Sequence, residues 1–312
     1  MILVLAAALL VQAGNEAAVC AFELIAKTKL VVVDWNGKCH RSGDAGRTWA
    51  DSPATWMRKT LAVSDLEIWG MTSNSMDQRI ACSLDGGKEW TFVVLDPSSF
   101  HPMAFVGVRN GCPLLVDALG QLRQWRRSQR PVSDGSDWIP VGVPVPVSTD
   151  QTYHASGGIL VDETLYVGGS RGKIWWSTDM GQRWNGFDCG LTSPVVEFAA
   201  SPSSCWAATR DGVVFHSARG KNSWMKVAEI PEVFFVFSMD AKDDLVVVVG
   251  EQEPRAFVVT VRPNGEMTPL TRPAGKQAYR VRIDEDGSYV VATSAGLFRT
   301  KDNDWATVWP AK

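Results

Sequence analysis

Only four histidines occur in the 312 residues (His40, His101, His154 and His216), and none sits in an H-E-x-x-H or comparable ligand spacing. A catalytic metal centre is therefore not expected, and no motif calls for a cofactor. The six cysteines (Cys20, Cys39, Cys82, Cys112, Cys189, Cys205) form no C-x-x-C pair and no dense framework. That excludes a zinc ribbon and a disulfide-stapled scaffold, and leaves buried free thiols as the expectation. An excess of one charge is missing as well: 31 basic against 34 acidic residues give a net charge of -3. No whole-molecule field favours nucleic acid or an anionic membrane, so any electrostatic specificity has to be local.

Long apolar runs are scarce; the conspicuous one is Met1 to Gln12, with Val11-Gln12-Ala13 as a candidate cleavage site. It is too short to span a bilayer comfortably. Two readings stand. Residues 1–18 are either a signal peptide, which makes the protein exported, or a retained strand or anchor, which leaves it cytoplasmic or particle-associated. Membrane contact would then run through this segment alone.

What the chain has in quantity is tryptophan, 14 residues within a 45% hydrophobic composition. Large aromatics at intervals serve packing in a repeated unit. The octapeptide Ser42-Gly43-Asp44-Ala45-Gly46-Arg47-Thr48-Trp49 returns as Ser83-Leu84-Asp85-Gly86-Gly87-Lys88-Glu89-Trp90 and as Ser177-Thr178-Asp179-Met180-Gly181-Gln182-Arg183-Trp184, all S-x-D-x-G-x-x-W. Worn copies end at Trp138, Trp224 and Trp305, and a seventh unit keeps only the turn Arg262-Pro263-Asn264-Gly265-Glu266. In such a turn Ser and Asp oxygens cap backbone N–H groups, Gly accepts φ > 0, and Trp returns to the core. These Asp residues are therefore read as structural.

Upstream of each box an apolar strand meets a tight turn, as in L-V-V-V-D-W-N-G-K and C-W-A-A-T-R-D-G-V. The turn markers Gly37, Asp77, Gly120, Gly172, Gly212, Pro254 and Gly296 are spaced 40, 43, 52, 40, 42 and 42 residues apart. Seven units of this length predict an all-β protein, a seven-bladed β-propeller of four-stranded antiparallel blades with the boxes between strands 3 and 4. Residues 19–312 form the propeller in this reading, and Pro140, Pro144 and Pro146 place a long surface loop over 139–158.

Strand direction sorts the turns onto two faces. Turns 1–2 and the boxes share one, which collects Asp162-Glu163, Asp240, Asp243-Asp244 and Asp284-Glu285-Asp286 and reads as acidic. The 2–3 turns share the other, which carries Lys38, Arg79, Arg123, Arg171 with Lys173, Arg210 and Arg255 and reads as basic. Basic residues recurring in six blades can steer an acidic partner. The inner strands begin on that same face, so His101, Tyr153, His154, Glu232, Tyr279 and Arg280 are candidates for the axial mouth, the default place for a ligand.

The repeat resembles the Asp-box propellers, or bacterial neuraminidase repeats, a family that includes sialidases, sortilin-type propellers and photosystem II stability and assembly factors. In sialidases an F/Y-R-I-P motif precedes the boxes. The nearest string here, Tyr279-Arg280-Val281-Arg282, lies late in the chain and lacks the proline. Sialidases also have six blades. Glycosidases need two carboxylates about 5 to 9.5 Å apart, and Asp188 and Glu232 are scattered candidates. Seven blades and a basic face are closer in style to the assembly factors, where the resemblance implies an arginine-rich surface docking a protein. The leading expectation is a non-enzymatic scaffold that binds an acidic protein or other anionic surface. A glycan-binding or glycan-cleaving propeller, and a structural or adsorption component of a particle such as a phage virion, are the alternatives.

Overall fold

The computed structural model of the protein describes residues 18–26, 28–72, 79–95, 101–126, 137–146, 155–253, 255–301 and 303–310. They form seven antiparallel sheets of four strands, each built from consecutive strands. The blades occupy 19–53, 59–94, 102–141, 155–188, 195–229, 235–269 and 278–309. The innermost strands pack one beside the next around an axis, and the first, Val19–Ala26, also packs against the last, Ala278–Ile283, which closes the ring. The chain is thus a seven-bladed propeller.

Burial explains the strand sequences. Second strands such as Ser204–Thr209 and Cys112–Asp117 are buried at every position, because a propeller blade is covered on both faces by its neighbours. They read as continuous apolar or small-residue runs. Fourth strands such as Asn185–Asp188 are largely exposed at the rim. Pro140 lies in one of them, Trp138–Val141, so this part of the expected 139–158 loop is strand. An edge strand tolerates proline because it loses no ladder hydrogen bond on its solvent side.

The S-x-D-x-G-x-x-W turns carry the hydrogen bonds their composition calls for. Ser42 Oγ donates to Asp44 Oδ1 at 2.8 Å and accepts from the Gly46 amide at 2.8 Å, while Asp44 Oδ1 accepts from the Thr48 amide at 2.9 Å. Ser83 with Asp85 and Gly87, and Ser177 with Asp179 and Gly181, repeat the pattern. The box glycines also face the preceding blade. A Cβ on Gly46 would stand 2.5 Å from Val308 of blade 7, and one on Gly181 3.0 Å from Leu122 of blade 3.

The box tryptophans staple blade to blade. Trp184 Nε1 donates to Val143 O just after blade 3 at 3.0 Å, and Trp305 Nε1 to Thr271 O just after blade 6 at 2.5 Å. Trp138 packs on Trp69 of blade 2, Trp224 on Tyr166 of blade 4, Trp90 in a cluster with Val31, Val33 and Cys39 of blade 1, and Trp49 with Val308 of blade 7.

A second repeated device secures the 2–3 turns. The last residue of the second strand turns its oxygen onto turn amides: Asp34 Oδ1 accepts from Asn36 and Lys38, Asp117 Oδ1 from Leu119 and Gln121, and Thr209 Oγ1 from Val213, all at 2.9 to 3.0 Å. Six residues on, a third-strand side chain grips the Asp from behind, His40 Nε2 on Asp34 at 3.2 Å and Arg123 Nε on Asp117 at 3.1 Å.

Candidate functional site: the 2–3-turn face

The face of the 2–3 turns gathers two features, an arc of aromatic rings at the axial mouth and basic side chains around it. The arc starts at Trp56, in the connection from blade 1 to blade 2, whose ring centroid is 5.2 Å from that of Trp35 in the blade 1 hairpin. Trp35 is 5.7 Å from Tyr279 of blade 7, Tyr279 5.6 Å from Phe237 of blade 6, and Phe237 stacks at 4.7 Å on Phe235. The Arg210 guanidinium of blade 5 lies 5.8 Å over the Phe235 ring. The five rings are half-buried, and Phe234 beside them is 57% exposed. Burial, with the Glu251 carboxylate nearby, raises the Tyr279 phenol above its ordinary range and keeps it a protonated donor to Gln277.

Of the basic residues expected here, Lys38, Arg171, Arg210 and Arg255 are exposed. Arg79 is half-buried at the start of its strand. Arg123 is drawn inward onto Asp117, where it buttresses a turn, and Lys173 meets Asp188 at 2.5 Å. The exposed basic side chains of this set thus stand on blades 1, 4, 5 and 6. Asp188, one of the scattered carboxylates, is held by that lysine and by the Gly190 amide.

The axial residues separate. Tyr279 joins the aromatic arc, whereas Arg280 lies below it inside the channel, with Nη2 donating to Glu23 of blade 1 and, at 3.0 Å, to the Thr60 carbonyl of blade 2. Burial pulls its guanidinium down to about 10, aided by the like charge of Arg282 and opposed by Glu23. Thr60 Oγ1 donates to the same Glu23 carboxylate at 2.8 Å, and Lys59 of blade 2 reaches Glu197 of blade 5 at 2.9 Å. Blades 2 and 5 stand on opposite sides of the ring, so this ion pair crosses the channel beneath the mouth. His101 and Glu232 are exposed at the ends of blade connections, and Tyr153 and His154 lie outside the described residues.

On the opposite face the acidic turns are interleaved with cations. Arg219 holds Asp162 at 2.5 Å, Arg109 holds Glu163 at 3.3 Å, and Asp284 is buried against Arg299. Asp240 is part of an inner strand and accepts from the Ile283 amide at 2.7 Å. Among the described residues no cluster of His, Cys, Asp and Glu has the makings of a metal site.

Sequence reasoning placed the basic residues on this face but missed Trp35, Trp56, Phe235 and Phe237. A signal existed in D-W-N-G: a tryptophan at a hairpin tip has no core to enter from there.

The geometry defines a seven-bladed β-propeller with an aromatic and basic turn face. It is similar to YCF48 from Cyanidioschyzon merolae, with a TM-score of 0.65 at 13% identity over 92% of this chain and 96% of that one. It is likewise similar to the WD40 β-propeller domain of Doa1 (TM-score 0.63, 12% identity, 94% of this chain and 97% of that one) and to the RRP9 WD40 repeats (0.65, 11%, 90% and 88%). At such identities the likeness is one of fold. No protein-family model and no curated protein sequence matches the chain.

Proposed function

We propose that the protein is a non-enzymatic scaffold whose 2–3-turn face docks an acidic protein segment, and that it is an Asp-box propeller, a reading supported by the hydrogen bonds of its S-x-D-x-G-x-x-W turns. The observation that carries the docking reading is the aromatic arc ending on Arg210, with Lys38, Arg171 and Arg255 exposed around it. Aromatic rings and arginine are the residues that dominate binding energy at protein interfaces, and surrounding positive charge steers an acidic partner. The cross-channel pair Lys59–Glu197 and the channel pair Arg280–Glu23 between neighbouring blades direct the reading to this surface and away from the channel interior.

The test is a partner recovered at low salt and then measured in purified form. Arg171→Glu with Arg210→Glu is expected to slow association by about tenfold or more, and salt is expected to weaken the wild type over a Debye length of about 8 to 10 Å. Phe234→Ser is expected to act on dissociation instead, as loss of an apolar anchor does. Unchanged kinetics in both variants would remove this face as the docking site.

A further inference from the structure

The seven inner strands enter the channel from the 2–3-turn face, and each opens with the same irregularity. In blade 2 the amide of Arg58 donates to Met71 O at 3.0 Å while Lys59 pairs with Met71, so two residues of the inner strand stand against one of the second. Cys20, Met103, Ser156, Val196, Phe237 and Tyr279 are passed over at the corresponding place in the registers of the other six. A β-bulge re-aims its side chain, and bulges concentrate at the rims of closed sheets and beside functional sites. The fold thus sets a ring of seven bulged residues at the axial mouth.

Arg58 is the charged member of that ring. Cys20 Sγ donates to Val33 O at 3.1 Å and Ser156 Oγ to Val195 O at 2.7 Å, while the rings of Phe237 and Tyr279 meet in the aromatic arc. Arg58 is exposed, and its guanidinium meets no hydrogen-bond or ion-pair partner among the described residues. Its exposure is to a concavity: the surrounding protein displaces hydration and pulls the guanidinium below its ordinary range, opposed by the charge of Glu197. Glu197 belongs to blade 5, across the ring from blade 2, so Arg58 faces the axis. That carboxylate is already taken by Lys59 at 2.9 Å.

Deeper in the channel each cation has a carboxylate, Lys59 with Glu197 and Arg280 and Arg282 sharing Glu23. An anion approaching along the axis therefore finds its unmatched cation at the rim. Trp56 of the aromatic arc stands two residues before Arg58, and Tyr279 and Phe237 of the same arc belong to the bulge ring. An arginine fork takes a carboxylate through two parallel hydrogen bonds, and the attraction strengthens where apolar walls thin the water.

We propose, building on the docking of an acidic segment at this face, that the segment inserts one aspartate or glutamate carboxylate into the axial mouth, where the Arg58 guanidinium receives it. The residues flanking that acid pack on the aromatic arc. Arg58 is then the anchor that fixes the register of the segment, whereas Lys38, Arg171, Arg210 and Arg255 steer it from further out. Arg58 lies outside the set of charges that carries the docking reading, so the two stand or fall separately.

The probes are acetyl-Gly-Phe-Glu-Phe-Gly-amide and its glutamine counterpart, titrated into the full chain and followed by NMR of the arginine Nε–H and indole N–H signals. The glutamate peptide is expected to bind about tenfold more tightly than the glutamine one and to shift the Arg58 Nε–H. Arg58→Gln is expected to abolish that preference with the melting temperature unchanged, since the guanidinium has no partner in the protein to lose. Arg58→Lys is expected to keep part of it, as a point charge without the fork. Arg171→Glu with Arg210→Glu is expected to weaken the glutamate peptide at low salt only, a long-range effect that salt screens, whereas the Arg58 preference persists in salt. A neutral double variant beside a preference lost in Arg58→Gln keeps the Arg58 site and removes the wider docking face. A preference that survives Arg58→Gln, or no binding of the glutamate peptide at millimolar concentration, overturns the proposal.

Discussion

Trp138 and Trp184 hold the same place in their blades, yet their truncation is expected to differ. Trp138 is 2% exposed and meets Trp69 and Trp125 edge-on at 5.4 and 5.7 Å. Its replacement by Ala removes a full aromatic side chain from a dry core and is expected to cost about 3 to 5 kcal/mol. Trp184 is only half-buried, with its indole N–H on Val143 O, and the same change is expected to cost about 1 to 2 kcal/mol. Denaturant unfolding of the two variants checks the order; equal losses would show that the staple acts alike whatever its depth. The buried carboxylate of Glu23 gives a second residue-scale outcome. Glu23→Gln leaves Arg280 without its counter-charge in the channel, and a loss of about 3 to 5 kcal/mol is expected. Trp138 was legible as a worn repeat residue, but Glu23 was not, because its partners Arg280 and Thr60 stand 257 and 37 residues away.

At the scale of the element, the box turn ties stability to pH. Hydrogen bonds from Thr48 and Ser42 hold the Asp44 carboxyl down at about 2, and those from Arg183 and Ser177 do the same for Asp179. A carboxyl lowered in the folded state contributes stability above its ordinary value near 3.8, and loses it as pH falls toward 2. The melting temperature is therefore expected to drop between about pH 4 and pH 2, and Asp44→Asn with Asp179→Asn is expected to flatten that drop. A slope unchanged in the double variant would assign it to other carboxylates. Geometry sets a second limit on the same element. Gly181 holds φ at 81° with Leu122 3.0 Å from a would-be Cβ, so Gly181→Ala is expected to destabilise by about 1 to 3 kcal/mol in chemical denaturation. The box was readable because the hydrogen bonds of its Ser and Asp are all local. The Asp34 and Asp117 turn caps were equally local, but their third-strand partners differ, His40 in one blade and Arg123 in the other, so no repeated string marks them.

For the whole molecule, burial decides the behaviour of the thiols. All six cysteines are free, and five are buried. Burial raises Cys20 to about 12 and Cys39 to about 11, and burial with the Asp188 charge raises half-buried Cys189 to about 12. Since the thiolate is the reactive form, slow labelling of the native protein is expected, with Cys189 the first to react and six groups counted after unfolding. Rapid labelling of several thiols in the native state would show that the blades open. The blade count followed from spacing and the sorting of turns onto two faces from strand direction, because a propeller repeats one local unit and its turn residues must recur in register. Which basic residues stay exposed, which rings converge into an arc and which carboxylates pair inside the channel were settled only when the seven units were brought round a common axis. Trp35 and Tyr279 are 244 positions apart in the chain and 5.7 Å apart in space. Local turn chemistry is written in consecutive residues, whereas contacts between blades 1 and 7 exist only after the ring has closed.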